Sequence, residues 1–106
     1  MRGFSNKILK INARDMTFEI ETMPDRLLET TLGGKGLATH LLLAHNPPKV
    51  DPLGPQNNLI LALGPVTGTR IWGSCRHAVF TKSPQTGYYS ESYSGGKAAE
   101  YMSTAG

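Results

Sequence analysis

The chain has 106 residues, with 11 Lys and Arg against 8 Asp and Glu, a formal charge of +3 at pH 7 and 18% charged residues. That length suits one compact unit, and the charge is too sparse and too scattered to indicate a polyelectrolyte tail or a nucleic-acid-binding stripe. A single cysteine, Cys75, excludes an internal disulfide, a four-cysteine iron–sulfur site and a structural zinc site built from these residues alone.

No apolar run approaches the ~18 residues of a membrane span. The basic start, Met1 to Lys7, is not followed by the apolar stretch of a secretory signal, so a cytoplasmic protein is expected. There is no internal repeat and no low-complexity tract. With 12 glycines and 7 prolines, the chain is expected to be rich in turns and short elements. Lys7-Ile8-Leu9-Lys10-Ile11 reads as a strand, Asn12 to Asp15 as a turn, and Met16 to Glu21 as a half-buried second strand with Met16, Phe18 and Ile20 on one face. The two make a β-hairpin. Pro24-Asp25 opens a short helix with Leu27, Leu28 and Leu32 on one side, and Gly33-Gly34 ends it. Gly36-Leu37-Ala38 starts a second helix, which stops at Asn46-Pro47-Pro48. Lys49 to Asn58 is a structured loop. Leu59 to Leu63 is a short apolar run expected to be a strand buried on both faces. An irregular segment, Val66 to Gly73, leads to a strand at His77 to Thr81. Tyr88 to Tyr93 resumes extended chain, Ser94-Gly95-Gly96 turns, and Lys97 to Met102 favours a helix. Strands and helices that do not alternate regularly predict an α+β fold, a small mixed β-sheet unit with short helices.

Few residues suggest chemistry. Ser94-Gly95-Gly96, between a strand and a helix, allows a ligand close to the backbone and offers helix N-terminal amides to an anion, although such pairs also serve as plain turns. Gly33-Gly34-Lys35-Gly36 reads either as a backbone nest beside a cation or as a tight connection between helices. Arg76 carries a planar fork of donors suited to phosphate, carboxylate or a polar heterocycle. His40, His45 and His77 lack metal-ligand spacing, Cys75 has no base partner in sight, and Tyr88, Tyr89 and Tyr93 suit either strand packing or stacking on a flat ring. These residues support an anion- or cofactor-binding α+β module and no self-contained catalyst.

Several segments, in one order over nearly the whole chain, resemble the N-terminal domain of the tungsten-containing aldehyde:ferredoxin oxidoreductases. They are Lys7-Ile8-Leu9-Lys10-Ile11-Asn12; Gly33 to Ala38, with Lys35 where the family usually has Arg; Val50-Asp51-Pro52-Leu53-Gly54-Pro55-Gln56-Asn57; Gly64-Pro65-Val66-Thr67-Gly68-Thr69; Arg76 with Thr81-Lys82-Ser83-Pro84-Gln85-Thr86-Gly87; and Ser94-Gly95-Gly96. The resemblance implies a saddle domain of two repeats, of which residues 1–106 match the first. It implies tungsten or molybdenum held between two pterins, a Mg²⁺ ion bridging the pterin phosphates, and a [4Fe–4S] cluster supplied by later parts of the full-length protein. It also implies oxidation of an aldehyde to a carboxylic acid, with electrons passed to ferredoxin. Carried over by position, Arg76 contacts a pterin, Tyr93, Ser94 and Gly95 line its site, and the backbone carbonyl of Tyr93 (usually Asn in the family) holds the Mg²⁺. The implied partners are the remaining domains or subunits and ferredoxin, with no nucleic acid and no membrane. The segment alone is expected to be inactive. The alternative is a stand-alone pterin- or anion-binding module, or one that dimerises without catalysis.

Overall fold

The computed structural model describes residues 2–106. Its elements run β1 (Lys7–Asn12), β2 (Thr17–Thr22), α1 (Asp25–Thr31), α2 (Gly34–His45), β3 (Ile60–Leu63), β4 (His77–Lys82), β5 (Tyr89–Ser94) and α3 (Lys97–Ala105). The fold is α+β. The strands divide between a β1–β2 ribbon and a sheet in the order β3-β4-β5, both antiparallel throughout, rather than joining one mixed sheet. Parallel pairing would need a crossover of a dozen or more residues, usually a helix, and no helix lies between β3 and β5.

The β1–β2 turn is set by Asn12, whose Oδ1 accepts the amides of Arg14 and Asp15, both at 3.1 Å. Met16 takes a left-handed conformation (φ 54°) and belongs to this turn, so β2 begins one residue later than expected. Register places Leu9 opposite Ile20 and Ile11 opposite Phe18, giving one apolar face. Contrary to the sequence expectation, this strand is not half-buried: every residue of β2 is exposed, Phe18 at 71%. Among the described residues nothing packs on that face, and the ribbon is anchored near its base, through Phe4, Ile8 and Met23 against Leu28, Leu37 and Leu41.

Pro24 precedes α1 as its N-cap, and Leu28 is fully buried. The helix ends differently from the sequence expectation. Leu32, not a glycine, adopts the left-handed cap (φ 56°), and its amide bonds the Leu28 carbonyl at 2.8 Å. Gly33 is already the N-cap of α2, which starts at Gly34 rather than Gly36. The reversal is this abrupt because Gly36 lies against the end of α1: a Cβ there would enter the van der Waals radius of the Thr31 carbonyl oxygen. Gly36→Ala should therefore lower stability by about 1–3 kcal/mol. Urea unfolding reads this as a lower midpoint at unchanged slope; an unshifted midpoint would show that the two helices separate freely.

The core lies between α2 and the three-stranded sheet, where Ala38 and Leu42 meet Ala62, Ala78 and Phe80. β3 is not buried on both faces as its composition suggested. Ala62 is buried, but Leu61 is 50% exposed and Leu59 64%, because α2 covers one face of this edge strand and no helix covers the other. The loop before β3 is structured, as expected: Asn57 Nδ2 donates to Pro52 O, Thr81 Oγ1 and Lys82 O at 2.9–3.1 Å. Thr67, the one buried polar residue among the described residues, ties the irregular segment together. Its Oγ1 accepts the Gly64 amide (3.2 Å) and donates to the Arg76 carbonyl (3.3 Å), and its own carbonyl accepts from Ser103 Oγ of α3 (2.8 Å). The backbone of Arg76 is thereby fixed at the entrance to β4.

Candidate functional site

The β4–β5 hairpin places the residues that the sequence singled out. Ser83 donates its amide to the Tyr88 carbonyl at 2.8 Å, which sets the phase of the ladder. In an antiparallel pair, hydrogen-bonded and non-hydrogen-bonded positions alternate. Counting along the register, Thr81 with Ser90, Val79 with Ser92 and His77 with Ser94 exchange backbone bonds, and Ala78 with Tyr93 does not. β5 is an edge strand. The N–H and C=O of Tyr93 therefore face the open edge, and no backbone group outside the sheet bonds them among the described residues.

One more step of the register sets Arg76 opposite Gly95. The geometry agrees: a Cβ at Gly95 would stand 3.7 Å from Arg76 Nε and 3.8 Å from its Cδ and Cζ. The guanidinium group thus lies over a residue with no side chain to displace it. Arg76 is exposed, and no carboxylate pairs with it among the described residues. It lines a recess of about 240 Å³ together with Gly34, Gly64, Gly73, Ser74 and Tyr93. A larger open groove of about 1520 Å³ between β1 and β3 includes none of Arg76, Tyr93, Ser94 or Gly95.

Two helices start beside these residues in the same way. Gly33 (φ 72°, ψ −161°) caps α2, and Gly96 (φ 95°, ψ −165°) caps α3. That backbone region is open essentially to glycine alone. Neither cap supplies a side-chain acceptor, so the first amides of both helices stay available to an outside anion.

The structure brings Arg76, Tyr93 and Gly95 together, but Ser94 only in part. Strand alternation turns the Ser94 side chain to the opposite face of the sheet, where its Oγ reaches only the neighbouring Gly95 carbonyl at 3.4 Å. Tyr89 and Tyr93 pack on Phe80, with ring centroids at 6.2 and 6.1 Å, the latter edge-on, while Tyr88 is 78% exposed. Cys75 is half-buried. His40 and His45 are exposed on α2, and His77 is half-buried, with its Nδ1 buried and without a hydrogen-bond partner. The described residues hold no cluster of three or more His, Cys, Asp or Glu.

Sequence reasoning missed Glu91. It lies between Tyr89 and Tyr93 on the same face of β5, and that period-two spacing was the available signal. Its Oε1 pairs with Lys35 Nζ at 2.9 Å, and its Oε2 accepts the Tyr93 hydroxyl at 3.2 Å. The bond from Lys35 holds the Glu91 carboxyl below the ordinary carboxylate range, and the same bond holds the Lys35 ammonium above its usual value. Desolvation, with Glu91 next, raises the Tyr93 phenol. With the Glu91 value depressed, the link is present at neutral pH and is lost only as acid protonates that carboxylate.

A family model described as aldehyde ferredoxin oxidoreductase, N-terminal domain, matches residues 8–106. The tungsten-containing aldehyde ferredoxin oxidoreductases of Pyrococcus abyssi and Thermococcus kodakarensis are 42% and 41% identical over all 106 residues. The chain spans only 18% of the length of each. A protein named aliphatic sulfonate oxidoreductase, WOR-like subunit, from Pyrococcus furiosus is 33% identical over 90 residues, covering 81% of this chain and 14% of that protein. Among solved structures, the active site complex BamBC of benzoyl coenzyme A reductase with 1,5-dienoyl-CoA superposes with a TM-score of 0.95 at 33% identity, over 99% of this chain and 16% of that one. The chain belongs to the aldehyde ferredoxin oxidoreductase family and carries sequence of its N-terminal domain.

Proposed function

We propose that this chain is the first repeat of the saddle that holds a tungsten or molybdenum bis-pterin cofactor in a larger, cytoplasmic aldehyde-oxidising enzyme. The observation that carries the reading is the Arg76 guanidinium lying over Gly95, with no carboxylate partner among the described residues, beside two helix N-termini that no described side chain caps. The residues fit a phosphate-bearing heterocycle. Unpaired donors face an open recess, and a glycine leaves room where a side chain would intrude. Arg76 would bind the pterin, and Gly95 would let it approach the backbone. Ser94 would contribute through its backbone alone. The outward carbonyl of Tyr93 is a hard oxygen ligand of the kind Mg²⁺ accepts, and would hold such an ion beside the pterin phosphates. When bound, the tungsten or molybdenum centre would supply two-electron oxidation of an aldehyde with water to a carboxylic acid, with a [4Fe–4S] cluster of the full-length protein and ferredoxin as the expected electron acceptors.

Substrate choice would lie outside this segment, since relatives named for an aldehyde, an aliphatic sulfonate and a coenzyme A thioester share it. The apolar face of Leu9, Ile11, Phe18 and Ile20 would meet the remaining domains or subunits. The test is metal analysis and pterin fluorescence of native material. Tungsten or molybdenum with pterin is expected, and material free of all three would overturn the reading. The purified 106-residue chain by itself should not reduce a viologen dye with an aldehyde, because it holds neither the second half of the saddle nor the cluster cysteines.

A further inference from the structure

We propose that Glu91 is a positioning residue for the recess: its carboxylate fixes the Tyr93 ring at the mouth and draws the Lys35 ammonium out of it, leaving the Arg76 guanidinium unpaired beside Gly95. The proposal deepens the cofactor-holding reading above and rests on it for the identity of the ligand, but not for the role of Glu91. Lys35 sits in the first turn of α2, where a cation opposes the helix dipole and needs a counter-charge. Glu91, 56 residues away in sequence, supplies one. The two oxygens of one carboxylate thus join the start of α2 to the edge strand, one accepting from Lys35 Nζ at 2.9 Å and the other from the Tyr93 hydroxyl at 3.2 Å. A second strut runs alongside, Thr39 Oγ1 to the Tyr89 hydroxyl at 2.9 Å. Tyr93 is held at its tip by Glu91 and along its ring by Phe80, edge-on at 6.1 Å. Tyr93 lines the recess with Arg76, and Lys35 does not.

The groups facing the Tyr93 ring are Glu91 and Tyr89 on its own strand, Phe80 on β4 and Lys35 on α2, with Arg76 two register positions beyond its partner Ala78. The experiment uses the full 106-residue chain with ¹³C-labelled tyrosine and phenylalanine and follows the Tyr93–Phe80 ring contacts by NMR, assigned with Tyr93→Phe. Glu91→Ala should weaken those contacts and free the Tyr93 ring, and Lys35→Met should leave them in place, since the hydroxyl keeps its bond to Glu91. Ring contacts that persist in Glu91→Ala overturn the proposal.

Calorimetry with inorganic pyrophosphate reads the second half. Glu91→Gln frees Lys35 and should tighten binding about 2- to 5-fold, the range of one exposed charge contact. The double variant with Lys35→Met should return to the wild-type affinity, and a double variant that stays tighter overturns the claim that Glu91 withholds Lys35. A wild-type chain that binds no pyrophosphate would count against the cofactor-holding reading instead, and the Tyr93–Phe80 ring contacts would then decide the role of Glu91 alone.

Discussion

Phe80→Ala is expected to cost about 3–5 kcal/mol, the largest stability loss available in this chain. Phe80 is fully buried at the middle of the central strand, between Ile60 and Glu91 in the register. It touches the cluster that ties α2 to the sheet, and both Tyr89 and Tyr93 rest on its ring. Domains of this kind are stable by only about 5–15 kcal/mol in total. The core here is small, with Phe80 and Leu28 its only large fully buried side chains among the described residues. Removing one of them leaves a cavity that two tyrosines on an edge strand cannot close without leaving their partners. Denaturant unfolding should show a much lower midpoint or no folded baseline at 25 °C. A loss under about 1 kcal/mol would mean that α2 is not held to the sheet through this residue.

Arg76→Ala should have the opposite profile, leaving stability within about 0.5 kcal/mol and greatly weakening anion binding. The side chain is exposed and makes no ion pair among the described residues, so folding loses little with it. Removing a charged hydrogen-bonding group from a ligand costs about 1.5–3 kcal/mol, or roughly 10- to 150-fold in affinity. Arg76→Lys should recover only part of this, because an ammonium keeps the charge and loses the planar fork. Pyrophosphate calorimetry on the chain and pterin content of the assembled enzyme are the two measurements. Unchanged affinity at unchanged stability would remove Arg76 from the site.

Local pattern predicted most of the elements. Period-two alternation and Pro/Gly punctuation located all five strands and three helices to within about two residues at most ends. Helix ends were harder to read in Gly33-Gly34-Lys35-Gly36. Composition suggested a stop followed by a new start at Gly36, whereas the structure caps α1 with Leu32 and begins α2 at Gly34. The deciding contact is between Gly36 and the Thr31 carbonyl, and no propensity scale contains it. Burial misled in β2 and β3 for one reason. An apolar face in a sequence states what a residue prefers to meet, and among the described residues nothing arrives to cover Phe18, Ile20 or Leu61.

The sequence by itself determined the α+β class, the family and the glycine turn before the last helix, because each depends on residue type and short-range order. Only the tertiary structure decided that Arg76 lies over Gly95, that the Tyr93 carbonyl points to an open edge while the Ser94 side chain turns away, and that Glu91 links Lys35 to Tyr93. Those facts follow from ladder phase and from a helix docking on a strand 56 residues downstream. Long-range geometry of that kind is set by how the elements pack together, and no single segment encodes it.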